Sequence, residues 1–282
     1  VNTSLVEAGK SEASVQTSQP NLTRQQARRR LWRYYWDLIS TLVMRDVQLK
    51  YRRSVLGIVW SVLNPLMMLI ILSFIFEQVV PLGVANYPAY VFCGLIAWNW
   101  FSTSLLASNN LILGNADLVR KPYFATETLA LINVGANMVN YILTLPVLFG
   151  LLLIDNLQLG WALLFLPLIM LVQFLLASGV SLLIAALNVY FRDIEHLTTI
   201  GVTLWFYVTP IFYRSDGVPK DLSWVFDFNP MAQIIRAYRQ ITLYNSPPDF
   251  AGLGWAAFLA LLIGVIGFIF FRSVKHSFVE EI

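Results

Sequence analysis

An all-α integral membrane protein with six transmembrane helices is the fold class this sequence predicts, and three observations carry the prediction. The chain is strongly apolar: of 282 residues, 57% are hydrophobic and 12% charged, with a mean hydropathy of +0.65. An ordinary soluble domain has about 25% charged residues, and one domain of this length has no core large enough to hide so much apolar surface. Apolar stretches also recur six times, most with the ~20 residues needed to cross a hydrocarbon core. Finally, the short basic segments between them all fall on one side. The prediction adds an N-terminal amphipathic interface helix and short periplasmic re-entrant helices between the fifth and sixth spans.

Residues 1–23 are polar, with neither an apolar signal-peptide core nor a helical stripe, and read as a disordered cytoplasmic tail. From 24 to 54 the chain becomes basic and aromatic. Trp32, Tyr35, Trp36, Ile39, Leu42 and Val43 recur at three- and four-residue spacings, so they share one apolar helical face. Such a helix suits the headgroup layer, or equally a protein partner docked at the membrane surface. At Met44–Pro65 (MRDVQLKYRRSVLGIVWSVLNP) the basic residues Arg45, Lys50, Arg52 and Arg53 give way to an apolar run. That junction belongs at a membrane surface, with the cations held in water and the following helix in lipid.

The transmembrane domain is predicted over residues 55–272, followed by a cytoplasmic tail at 273–282. Its spans run from about Val55 to Phe76 (interrupted by Asn64-Pro65), Ala89 to Leu113, Leu129 to Ile154, Trp161 to Leu187, Leu197 to Tyr213 and Leu253 to Phe271. With the N-terminus inside, residues 1–54 carry ten Lys/Arg, the 114–128 loop two, the 188–196 loop one, and the tail after Phe271 two. That is fifteen of nineteen on the cytoplasmic side, and the other four lie in 214–252. Both termini are therefore expected inside, and the protein in a bacterial inner membrane.

Segment 214–252 is too polar to span, yet it holds two helix-like pieces, Leu222–Phe226 and Met231–Tyr244. Asn229-Pro230 has the residue types of an N-cap and a first helical position. Met231, Ile234, Ile235, Tyr238 and Ile241 form the apolar stripe of the second piece, with Arg236 and Arg239 off it. Helices dipping back toward the bilayer fit this pattern, and a cap over the helix ends is the alternative.

Catalytic chemistry is hard to build here. HExxH, DxD-like and GxSxG motifs are missing, His196 and His276 have no paired ligands, and the lone Cys93 sits in an apolar run as a small hydrophobe would. No metal site is expected. The spans carry essentially no acid or base, whereas ion-coupled carriers need intramembrane charges. Energy must then arrive through the cytoplasmic loops. In the loop after the second span, Pro122 opens an expected short helix, Tyr123 and Phe124 make a hydrophobic knob, and Arg120, Lys121 and Glu127 frame it, as a protein–protein anchor requires.

Four stretches in order, RDVQLKYRRSVLGIVWSVLNPL at Arg45–Leu66, LVRKPYFATETLAL at Leu118–Leu131, NVYFRDIEHL at Asn188–Leu197 and TPIFY…FNPMAQIIRAYR at Thr209–Arg239, closely resemble the permease subunits of type-2 ABC exporters for polysaccharides and polyol phosphates. The resemblance runs from about Leu31 to the C-terminus. It implies a homodimer of six-helix permeases paired with two cytoplasmic ATPase subunits that carry the ATP and magnesium, and export of a lipid-linked (polyprenyl-diphosphate) glycan such as O-antigen, capsule or teichoic acid. It further implies that Pro122–Thr128 is a coupling helix seated in the ATPase, and that Asp221–Tyr244, with Asn229, Pro230, Arg236 and Arg239, is a periplasmic gate.

A path for a lipid-linked glycan needs hydroxyls, amides and aromatic faces more than charge. Trp60, Asn64, Trp98, Asn99, Trp100, Asn137 and Asn140 supply them, as sugar contacts or as interfacial belts and interhelical bonds. Arg52 and Arg53 are open to three roles: meeting the diphosphate, anchoring topology or touching the ATPase. The partners expected are a second copy, the ATPase, the glycan and membrane lipids, and no nucleic acid. The competing readings are a drug or small-solute exporter of the same superfamily and a membrane-embedded glycolipid-modifying enzyme.

Overall fold

The computed structural model describes residues 40–48, 56–79, 83–121, 124–214, 221 and 223–278, all within one compact unit, Ile39–Ile282. The expected tail at 1–23, most of the interface helix, Lys50, Arg52, Arg53, Pro122, Tyr123 and the last four residues lie outside the described residues. Among those described, the secondary structure is entirely helical.

Among the described residues, five helices are long and apolar enough to cross a membrane: α2 (Trp60–Ser73, continued by a π-helical turn over Phe74–Val79), α3 (Tyr87–Ser108), α5 (Thr128–Ile154), α6 (Leu166–Tyr190, led in by a 3₁₀ turn at Trp161–Phe165) and α10 (Phe250–Val274). Shorter pieces are α1 (40–48), α4 (Ala116–Val119), α7 (Ile194–Val208), α8 (Ser223–Phe228) and α9 (Pro230–Thr242). The expected fifth span is α7. It has fifteen residues, about 22 Å of helix, because Thr209 turns extended and Pro210 follows. Asn64-Pro65 interrupts nothing: α2 runs through it with Pro65 buried, as membrane helices allow when neighbours accommodate the lost N–H.

The bundle is built around α3. Trp100, Phe101, Phe92 and Ile96 on it are almost wholly buried. Its hydroxyls bond back one turn, Ser104 Oγ to the Trp100 carbonyl at 2.8 Å and Ser108 Oγ to that of Ser104 at 2.7 Å, so none is left bare in an apolar interior. Side-chain amides and one indole then cross to neighbouring helices. Asn133 Nδ2 of α5 donates to the Ser104 carbonyl (2.8 Å), Gln173 Nε2 of α6 to Ala97 (2.8 Å), Asn188 Nδ2 of α6 to Asn109 just past α3 (2.6 Å), and Trp100 Nε1 to Val134 (3.0 Å). These bonds set the register that apolar packing alone leaves free to slide.

Helices α6 and α10 approach at glycines. A Cβ on Gly179 would lie 2.7 Å from the Gly264 backbone nitrogen, and one on Gly267 would lie 2.6 Å from the Gly179 carbonyl. Only residues without a side chain admit backbones this close. The outward faces of α2, α7 and α10 expose Ile70, Phe74, Leu197, Leu204, Leu261 and Ile269, as lipid-facing surfaces do.

Candidate functional site

Between α2, α3 and α5 lies a groove of about 110 Å³ with, among the described residues, no charged one on its walls. Helical spacing creates it: Trp60 and Asn64 are four apart on α2, Asn99 and Thr103 four apart on α3, and Asn137, Asn140 and Thr144 follow one face of α5. A second hollow of about 190 Å³ opens on the other side of Asn64 and Asn99, against Trp98 and Phe206. The structure thus gathers all seven path candidates around two adjoining spaces.

Their chemistry divides them. Trp100 is 2% exposed, spends its N–H on Val134 and packs on Tyr141 at 5.2 Å between ring centroids. Trp98 is 6% exposed among Phe101, Trp205 and Phe206. Asn137 Nδ2 donates to the Asn133 carbonyl (3.0 Å) and side chain (3.2 Å). These three hold the wall. Trp60, at 43% exposure, and the amides of Asn64 and Asn99 make no hydrogen bond to any described residue and face the space. Unpaired amides among apolar helices are costly without a polar occupant, so the groove is suited to water or a hydroxyl-rich ligand. Ser61, Tyr141 and Thr144 also line it. The sequence reading passed over them, although they sit three or four residues from Asn64, Asn137 and Asn140.

The segment after α7 carries a second polar construction. Asn229 caps α9, its Oδ1 accepting from Met231 N (3.0 Å) and Ala232 N (3.3 Å), with Pro230 at the first helical position. The same side chain accepts from Trp205 Nε1 (2.9 Å) and donates to Thr209 Oγ1 (3.0 Å), fastening α9 to the end of α7. Every residue of α9 except Arg236 and Gln240 is buried. Arg239, expected off the apolar stripe, is 5% exposed, with its guanidinium 3.5 Å from the Tyr90 ring centroid. It donates to Pro210 O (2.8 Å), Ile211 O (2.6 Å), Tyr90 O (3.3 Å) and Tyr90 Oη (2.8 Å). Burial pulls its pKa below the ordinary arginine value.

At the opposite end of the helices, a 3₁₀ turn at Leu113–Asn115 and α4 precede an exposed Lys121. The helix expected over Pro122–Thr128 is not seen in its described part: residues 124–127 form an irregular stretch and a turn leading into α5. Phe124 is half-buried, its N–H donating to the Lys121 carbonyl at 3.1 Å. Arg120 ends α4 and Glu127 pairs with Lys275 at 3.1 Å, a partner that no pattern in the sequence announces. Arg45 pairs with its neighbour Asp46 (2.9 Å) on α1, where Val43 Cγ2 would lie 3.2 Å from a Cβ on Gly135 of α5. Among the described residues no group of His, Cys, Asp and Glu is placed to hold a metal.

Residues 37–243 match the ABC-2 type transporter family. The chain is 32% identical over 251 residues to the O-antigen export system permease protein RfbA of Klebsiella pneumoniae, covering 88% of this chain and 95% of that one. It is 30% identical to the protein of the same name from Myxococcus xanthus, over 90% and 98% of the two chains. The polysialic acid transport protein KpsM of Escherichia coli is 21% identical over 85% and 94%. By its own residues and by these likenesses, the chain belongs to the membrane subunits of the ABC-2 type transporter family.

Proposed function

We propose that this chain is the permease of an ATP-driven exporter that moves a lipid-linked polysaccharide of the O-antigen type across the bacterial inner membrane. It works as a homodimer with two cytoplasmic ATPase subunits. The observation that carries the reading is the uncharged groove, in which Trp60, Asn64 and Asn99 offer an indole face and unpaired amides to a sliding sugar chain. The likeness to export permeases over nearly the whole chain supports the substrate class.

In this reading α7 and the 209–213 segment complete a sixth crossing, and both termini are cytoplasmic. The turns at 113–127 face the ATPase, α1 lies along the inner surface, and α8–α9 with Asn229, Pro230, Arg236 and Arg239 form the periplasmic gate. Reconstitution in vesicles tests it. Glycan export should require both the permease and its ATPase, and export by the permease alone would sink the proposal. The likeness to a polysialic acid transport protein supports a second reading, an anionic capsule-type glycan. Competition between neutral and acidic lipid-linked chains separates the two.

A further inference from the structure

An open basin of about 350 Å³ lies at the end of the bundle where α3 begins. Three guanidinium-bearing residues line it, Arg236 and Arg239 from α9 and Arg214 from the segment after α7, and among the described residues no Asp or Glu does. Arg236 and Arg239 are three apart, so both project from one side of α9. Arg239 forms the floor. Its hydrogen bonds go to neutral acceptors, so its positive charge is not cancelled by a carboxylate among the described residues. Arg236 is half-buried and makes no hydrogen bond or ion pair with another described residue, and Arg214 stands exposed at the rim. Gln240 and Tyr244 add neutral donors.

The like charges of Arg236 and Arg239 on one wall repel unless an anion sits between them, and guanidinium forks match phosphate oxygens two at a time. The volume is roughly ten times the ~30 Å³ that one water occupies, ample for a diphosphate. At the same end Trp161, Trp224, Tyr244 and Phe250 are each more than half exposed, and such aromatics settle at the headgroup layer, where lipid phosphates lie.

We infer that this basin is a phosphate-binding site that takes the headgroup of a lipid-borne diphosphate. The inference rests on the exporter reading only in making this the exit side; binding at the basin does not depend on transport. The test uses the full chain in nanodiscs of phosphatidylcholine, titrated calorimetrically with farnesyl diphosphate, inorganic pyrophosphate and farnesol. Farnesyl diphosphate should saturate and farnesol should not. Arg236→Gln should weaken binding about tenfold, as expected for a lost charge-assisted contact, and adding Arg214→Gln should weaken it further. Arg236→Lys, which keeps the charge, should retain most of the affinity and guards against misfolding as the cause. Tighter binding of farnesyl diphosphate than of pyrophosphate assigns the site to a lipid headgroup. Equal binding of both, still lost in the double variant, overturns that assignment and leaves a site for free phosphate. Absence of saturable binding, or unchanged affinity in the double variant, overturns the site itself. Failure of ATP-driven export with binding intact would count against the exporter reading alone.

Discussion

The groove between α2, α3 and α5 and the basin beside α9 are both polar spaces in an apolar molecule, and they are built on opposite rules. The groove has amides, hydroxyls and indoles but no charge; the basin has three arginines. Position explains the contrast. A charge midway along a membrane helix costs at least ~2.5–3.5 kcal/mol, whereas at the helix ends a guanidinium can reach carbonyls that the helices no longer use. Arg239 does this, bonding the carbonyls of Pro210 and Ile211 where α7 has already ended. A neutral wall also suits the glycan proposed to slide past it, because weak, repeated contacts release it, while a cationic basin suits the headgroup proposed to be held there.

The largest test of the comparison is Arg239→Leu. It removes the donor to the Pro210, Ile211 and Tyr90 carbonyls and to the Tyr90 hydroxyl, each buried group left unpaired costing about 1–3 kcal/mol, so the purified protein should lose on the order of 3–5 kcal/mol or fail to accumulate. Arg239→Lys should rescue little, since one ammonium cannot serve four separated acceptors. A melting temperature within a degree or two of the wild type would show that the clamp is idle. Gly179→Val should come next. Its side chain meets the Gly264 backbone at 2.7 Å, so α6 and α10 must part, at about 1–3 kcal/mol. Gly150→Ala, at a position with open space around it, is the control and should melt like the wild type.

Most of the span positions could be read from the chain because lipid demands long apolar helices with every backbone group satisfied internally. Predicted and observed ends of α5 and α10 differ by at most three residues. The cap at Asn229 was also legible, since it depends on two adjacent residues. What could not be read depends on distant ones. For Arg239 the helical pattern gave only a place off the apolar stripe; its partners lie 28, 29 and 149 positions away. Lys275 was invisible as the partner of Glu127, 148 positions earlier. The seven path residues could be named but not divided. Which indole props the wall and which faces the space is decided by neighbours such as Val134 and Tyr141.

That division is testable within the groove. Asn64→Leu combined with Asn99→Leu removes amides that no described residue uses, so stability should hold or rise slightly while export falls about tenfold, the loss of one to two hydrogen bonds to a sugar. Asn133→Leu should do the reverse in kind. It breaks bonds to Ser104 and Ser108 (2.8 and 3.2 Å), lowering stability by about 1–2 kcal/mol. Export normalised to folded protein should change little. If both variants lose stability equally, the amides do not divide into wall and path.

The smallest expected effect concerns the end away from the basin. Lys275 Nζ meets Glu127 Oε2 at 3.1 Å with side chains 31% and 20% exposed, a partly solvated pair of the kind that contributes about 0–1 kcal/mol. Lys275→Gln should therefore barely shift the melting temperature. The pair nonetheless joins the foot of α10 to the turn before α5, beside the Arg120–Phe124 segment proposed to meet the ATPase. Phe278 strengthens that foot: it is fully buried and packs on Phe271 with ring centroids 5.2 Å apart. If this turn passes motion from the ATPase to the bundle, loosening it should raise ATP hydrolysed per glycan exported about twofold to threefold, the ratio expected from a fraction of a kcal/mol. The double variant Glu127→Gln/Lys275→Gln should match the single one, because both remove the same contact. An unchanged ratio would leave the pair as a fastening of α10 alone.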